Sequence, residues 1–217
     1  MLSPSFYCIY YNDFLLRTQH TICQKQFILS SYYFVSSGRF NMNTRTKTKW
    51  IAETAIFIAL LVSLQAVTKS MSQFVTGSMV NLVLVTATLV SGFTSGLTVA
   101  AISPFFAFML GIGPKFFALV PFVAFGNIVL VLFWGIVCKN GIGMKNMVFA
   151  MTVGAVLKFL TLYGGIVKFA IPTILALPEK QAAVMGANFS WPQLVTALIG
   201  GFLAILITPT LKKALKK

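Results

Sequence analysis

The sequence predicts an all-α protein, an integral membrane bundle of six transmembrane helices with both termini cytoplasmic. Three observations predict it. Of 217 residues, 58% are hydrophobic and 9% are charged, whereas a soluble domain is about 25% charged. The mean hydropathy is +0.88, so the chain has more apolar surface than a soluble core can hide. The basic residues sit mainly at the edges of apolar runs, where membrane topology places them. The net charge of +14 therefore describes span flanks, and no RNA- or DNA-binding motif accompanies it. Nucleic acid is excluded as a partner and membrane lipid is expected.

The chain divides at Met42. Residues 1–41 hold Tyr7, Tyr10, Tyr11, Tyr32, Tyr33, Cys8, Cys23, Asp13 and the only histidine, His20. They lack the ordered basic, apolar and small-residue regions of a signal peptide. From Met42 the sequence turns to Asn43-Thr44-Arg45-Thr46-Lys47-Thr48-Lys49-Trp50, a basic flank with an interfacial Trp ahead of an apolar helix. Residues 1–41 are thus expected to be a misassigned extension, or else a poorly ordered tail. Residues 42–217 are expected to form the membrane domain.

A span needs about 20 apolar residues. The first span is expected from about Trp50 to Val67 and the second from about Met79 to Ser91, with a short re-entry at Phe93 to Ser95. The third follows from about Gly96 to Leu110 and the fourth from about Phe116 to Val137. After a basic turn, Lys139 to Lys145, the fifth runs from about Asn146 to Ala170, and Pro172 is expected to end it. A loop from about Pro172 to Pro192 precedes the sixth, about Gln193 to Pro209. With both termini inside, the inside segments carry Arg45, Lys47, Lys49, Lys139, Lys145, Lys212, Lys213, Lys216 and Lys217. The outside segments carry Lys69, Lys115, Lys168 and Lys180. The basic excess inside fixes the orientation.

The polar residues within these runs are the functional candidates. Lys158 falls near mid-bilayer in the fifth span, in Gly154-Ala155-Val156-Leu157-Lys158-Phe159. A charge there costs about 2.5–3.5 kcal/mol or more, so it should face a polar cavity, a partner or a bound anion. The alternative is a lysine that snorkels to an interface. Asn81 and Asn127 need satisfied amides, from a ligand or from a neighbouring helix. Gln65 and Gln73 are further polar candidates. Trp134 lies two turns from Asn127 on one face, as an aromatic wall of the same cavity or as an interfacial anchor. Phe189 and Trp191, with Gln73 and Phe74, are placed to close over a site or to form an aromatic belt.

The first span carries a stripe of small residues, Ala52, Ala55, Ala59, Ser63 and Ala66. Small residues let helices approach closely in lipid. The stripe is either a docking face for another subunit or a contact within the chain. An enzyme is not expected. There is no P-loop, no His-Glu-x-x-His and no Ser/His/Asp set, and the single histidine lies outside the membrane body. Cys8, Cys23 and Cys138 have no metal spacing, and no cofactor is expected.

Several of these features together resemble the substrate-binding S component of energy-coupling-factor (ECF) vitamin transporters. They are the basic N-terminus from Met42, Ala55-x-x-x-Ala59, the six spans with both ends inside, Thr76-Gly77-Ser78-Met79-Val80-Asn81, Ser103-Pro104 and Gly126-Asn127. The resemblance covers 42–217. It implies a subunit of a bacterial cell membrane importer that captures a vitamin or related micronutrient outside and docks on a T component driven by two ATPases. It implies that Ala55 and Ala59 form the docking face and that the subunit topples to release its ligand. It also implies that the loops bearing Gln73, Phe74 and Trp191 close the site. Lys158, Asn127, Asn81, Gln73 and Trp191 are then the expected substrate-binding residues. No riboflavin, thiamin or biotin motif matches, and Lys158 suggests a carboxylate- or phosphate-bearing ligand such as pantothenate or a folate-like compound. The rival readings are a small self-contained permease, which would need coupling residues and usually internal repeats, and a ligand-free assembly subunit.

Overall fold

Six apolar helices build the membrane body. The computed structural model describes residues 44–112, 114–139 and 141–215. The expectation for 1–41 lies outside the described residues, as do the flanking Lys216 and Lys217. In chain order the helices are α1 (Thr44–Thr68), α2 (Gln73–Val90), α3 (Phe93–Met109), α4 (Val120–Val137), α5 (Met144–Leu162), α6 (Glu179–Asn188) and α7 (Trp191–Ala214). A 3₁₀ turn, Phe117–Leu119, leads into α4, and a π-helical stretch, Tyr163–Leu175, continues α5. Five of the helical rods are long and apolar enough to cross a membrane; α3 is a shorter apolar helix. Among the described residues there is no strand. The outer surface carries Ile56, Phe106, Phe125, Phe149, Leu160 and Phe202, all exposed and spread over α1, α3, α4, α5 and α7. A shell this apolar faces lipid. The chain is an all-α, multi-pass membrane bundle.

Close packing between helices follows from small residues. A Cβ added to Gly200 of α7 would lie 2.6 Å from the Ser78 carbonyl oxygen and 2.6 Å from Asn81 Cβ on α2. One turn away, a Cβ added to Gly77 of α2 would lie 2.9 Å from the Thr196 side chain of α7. With no hydrophobic drive between helices in lipid, such close approach supplies the packing energy. The α4–α5 pair closes in the same way, with Gly126 against Leu162. Helix α1 packs through a stripe at helical spacing, Thr54, Phe57, Leu61 and Thr68, all buried. Thr54 Oγ1 lies 2.9 Å from Ser95 Oγ of α3, and Trp50 Nε1 donates to Thr94 Oγ1 at 3.1 Å.

The structure corrects several expected boundaries. The basic flank before Trp50 is already helical from Thr44. Helix α2 begins at Gln73, a turn and a half before Met79, because Ser72 takes an extended conformation and starts it. Phe93 to Ser95 is no re-entry; it is the first turn of α3, set off by Gly92 at φ 99°, a conformation that favours glycine. Pro172 does not end the fifth rod. The winding loosens to π at Tyr163, the Thr173 hydroxyl donates to the Phe169 carbonyl, and the rod runs on to Leu175. Its 32 residues exceed a ~30 Å hydrocarbon layer at about 1.5 Å per residue. The loop expected from Pro172 to Pro192 holds α6, and α7 passes through Pro209 to Ala214.

Candidate functional site

Lys158 is at the centre of the polar interior. Leu162, one turn further along α5, packs on Gly126, and that contact brings the next residue of α4, Asn127, against the lysine. Lys158 Nζ donates to Asn127 Oδ1 at 2.7 Å and to Asn81 Oδ1 at 2.6 Å. All three side chains are buried, at 3%, 2% and 1% exposure respectively. An ammonium has three donors, so two are spent on neutral amides. Asn81 Nδ2 in turn faces Thr196 Oγ1 at 3.5 Å, and Thr196 donates to the Gln193 carbonyl at 3.1 Å. Lys158 therefore does not snorkel to an interface.

Lys158, Asn127, Asn81 and Gln193 line a chamber of about 150 Å³ inside the bundle. Ser103 and Pro104 of α3 form part of its wall. Pro104 has no N–H, so the α3 backbone is opened beside the chamber. The Ser103 hydroxyl is buried without a partner among the described residues, and so is Gln65 Oε1, which also borders the chamber. A larger vestibule of about 760 Å³ lies beyond it. The two cavities share Gln73, Thr76, Pro114 and Phe189. The vestibule wall carries Lys69, Lys115 and Lys180, all from the loops and the α6 end of the bundle.

A strap crosses this end. Gln73 Nε2 donates to the Asn188 carbonyl at 2.7 Å, and Gln193 Nε2 reaches the same oxygen at 3.3 Å. Phe74 and Trp191 meet with ring centroids 5.5 Å apart. The start of α2 is thereby tied to the α6–α7 junction above the chamber.

The structure brings Lys158, Asn127, Asn81 and Gln73 to one chamber. It places Trp191 outside, 61% exposed and against Phe74. Trp134 is neither the cavity wall nor an interfacial anchor. It is fully buried in the core with Leu130, Met147 and Ala150, because Gly154 on α5 leaves room for its ring, 3.4 Å from where a Cβ would sit. Ala52, Ala55, Ala59, Ser63 and Ala66 are all exposed, so the stripe is not the face by which α1 packs on its own chain. Thr196 and Gln193 were not among the expected residues. Their signal is the pair Thr196-x-x-x-Gly200, two small residues one turn apart that press α7 onto α2. Compared with known proteins, the chain matches no family model, no curated protein and no solved structure.

Proposed function

We propose that the chain is the substrate-binding S component of an ECF-type importer in a bacterial cell membrane, serving uptake of a vitamin or related micronutrient. The observation that carries the reading is the chamber around Lys158, Asn81 and Asn127, which lies inside an apolar bundle beneath the strap. A chamber of this kind holds a small molecule away from water and lipid. The basic excess at the opposite end supports a strap and vestibule that face outward. The exposed small-residue face of α1, with Ala55 and Ala59 at its centre, is available for a T component, and the chain itself carries no ATP-handling motif. Two ATPase subunits would then drive transport.

The test is uptake by the chain reconstituted in vesicles. With the T component and both ATPases present, accumulation of ligand is expected to require ATP. Equal uptake by the chain alone would establish a self-contained permease instead. A folded chain that binds no small molecule at all would leave only the assembly role.

A further inference from the structure

We infer that the ligand of the chamber is a small organic anion that binds acid group first, its carboxylate or phosphate oxygens beside the Lys158 ammonium and the rest of the molecule in the vestibule. The inference rests on the binding-subunit reading above. It begins with charge. Both hydrogen-bond partners of Lys158 among the described residues are neutral amides, and an ammonium buried among helices calls for an opposite charge. Among the described residues the carboxylates are Glu53 and Glu179, and neither lines the chamber or the vestibule. Among the described residues nothing lining the chamber or the vestibule supplies the compensating charge, and a bound anion would.

The surroundings fit oxygen acceptors. The Ser103 hydroxyl is 1% exposed, borders the chamber and has no partner among the described residues. A buried hydroxyl without a bond is costly, and an oxyanion next to Lys158 would accept from it. With the carbonyl oxygens turned to the ammonium, Asn127 offers its NH₂ group as a further donor and Asn81 the amide hydrogen not directed at Thr196. Gln65 leaves an acceptor, Oε1, for a hydroxyl or amide hydrogen elsewhere on the ligand.

The approach has the same sign. Lys69, Lys115 and Lys180 line the vestibule, and a cleft lined by one sign of charge concentrates ligands of the other. Volume sets the orientation. The inner chamber, about 150 Å³, holds the equivalent of a few waters at ~30 Å³ each, which suits an acid group with a short stem. The vestibule, about 760 Å³, takes the body. A cationic ligand would meet repulsion along the whole path.

The full chain, purified in detergent, tests this with matched probes. Its melting temperature is followed with benzoate and benzamide, nicotinate and nicotinamide, phenyl phosphate, inorganic phosphate, chloride and phosphatidylglycerol. In parallel, a small-molecule extract of the source cells is passed over the protein and retained compounds are identified by mass spectrometry. Organic anions are expected to raise the melting temperature while their neutral twins do not. In Lys158→Met the affinity for those anions is expected to fall about tenfold or more, the effect of losing a charged hydrogen bond. Ser103→Ala, a smaller change, is expected to weaken the same anions several-fold and covers the case in which Lys158→Met fails to fold. The proposal is overturned by equal binding of neutral twins, or by anion binding that survives both substitutions. It is equally overturned if only inorganic ions act, if only the lipid acts, or if neither panel nor extract yields a bound organic anion. Anion binding without ATP-dependent uptake would retain this inference and remove the importer. ATP-dependent uptake of a neutral compound would do the reverse.

Discussion

Lys158 Nζ and Asn127 Oδ1 are 2.7 Å apart, and the two side chains come from helices that touch through Gly126 and Leu162. The bond thus depends on a glycine next to the amide. A charged group and the amide that solvates it are held at fixed separation by packing one residue away.

Removing the amide and charging it should separate stability from anion binding. Asn127→Leu leaves the ammonium with one fewer partner and should cost about 1.5–3 kcal/mol of stability. Asn127→Asp supplies a carboxylate at the position of Oδ1, so the fold should be at least as stable as with leucine while the bound anion loses its place. Melting temperature and anion affinity, measured on both variants, check this. Equal anion binding by the aspartate variant would mean that Lys158 does not hold the ligand.

Ala55→Leu and Ala59→Leu place larger side chains on an exposed face of α1. No described residue occupies that face, so stability should change by less than about 0.5 kcal/mol. If the chain is the proposed importer subunit, co-purification with a T component should be lost, since small residues set the close approach of helices in lipid. A variant that melts normally and still assembles would show that the stripe only faces lipid.

The six apolar runs were legible because a span needs length and hydropathy, and both are local. Lys158, Asn81 and Asn127 were legible as costly residues, each in its own run. The resemblance grouped them in one site, but their direct contact with one another was not legible, because it depends on which helices adjoin, and that is decided by Gly126, Gly200 and Thr196. Pro172 misled for a related reason. A proline ends an α-helix by the hydrogen bond it lacks, but here the rod had already widened at Tyr163. Trp134 misled because an aromatic near a helix end resembles an anchor until the partner helix, with Gly154, is known.

The strap should control how long a ligand stays. Gln73→Ala removes the bond to the Asn188 carbonyl, worth about 0.5–1.5 kcal/mol. Trp191→Ala removes a ring contact with Phe74 of similar size. Each should speed ligand release by roughly two- to tenfold with little change in association. The two act on one element, so the double variant should release less quickly than the product of the single effects. Stopped-flow release measurements decide it, and unchanged rates would make the strap a passive feature of the surface.

Gly200→Ala should be more damaging than its single methyl suggests. The added Cβ would sit 2.6 Å from the Ser78 carbonyl oxygen and 2.9 Å from Leu82 N, and backbone atoms do not move aside cheaply. Overpacking of this kind costs about 1–3 kcal/mol. Because Asn81 is equally close, ligand affinity should fall together with stability. Gly164→Ala is the control, since a Cβ there meets nothing within 4 Å, and its melting temperature should not drop. Equal tolerance at both positions would mean that α2 and α7 are less tightly joined than described.

Ala176 closes the fifth rod in a left-handed conformation, φ 42° and ψ 46°. A side chain with a Cβ is disfavoured there by roughly 1–2 kcal/mol. Glycine removes that cost but gains about 0.5–1 kcal/mol of unfolded-chain freedom. Ala176→Gly should therefore raise stability slightly, by somewhat under about 1 kcal/mol. Ala176→Val, β-branched, should lower it by more than that. The turn leads into Leu177 and Lys180 of the vestibule wall, so the valine variant should also weaken anion binding where the glycine variant does not. The check is the order of the three melting temperatures, with glycine highest and valine lowest. A valine variant as stable as the parent would show that the chain leaves α5 by another backbone path.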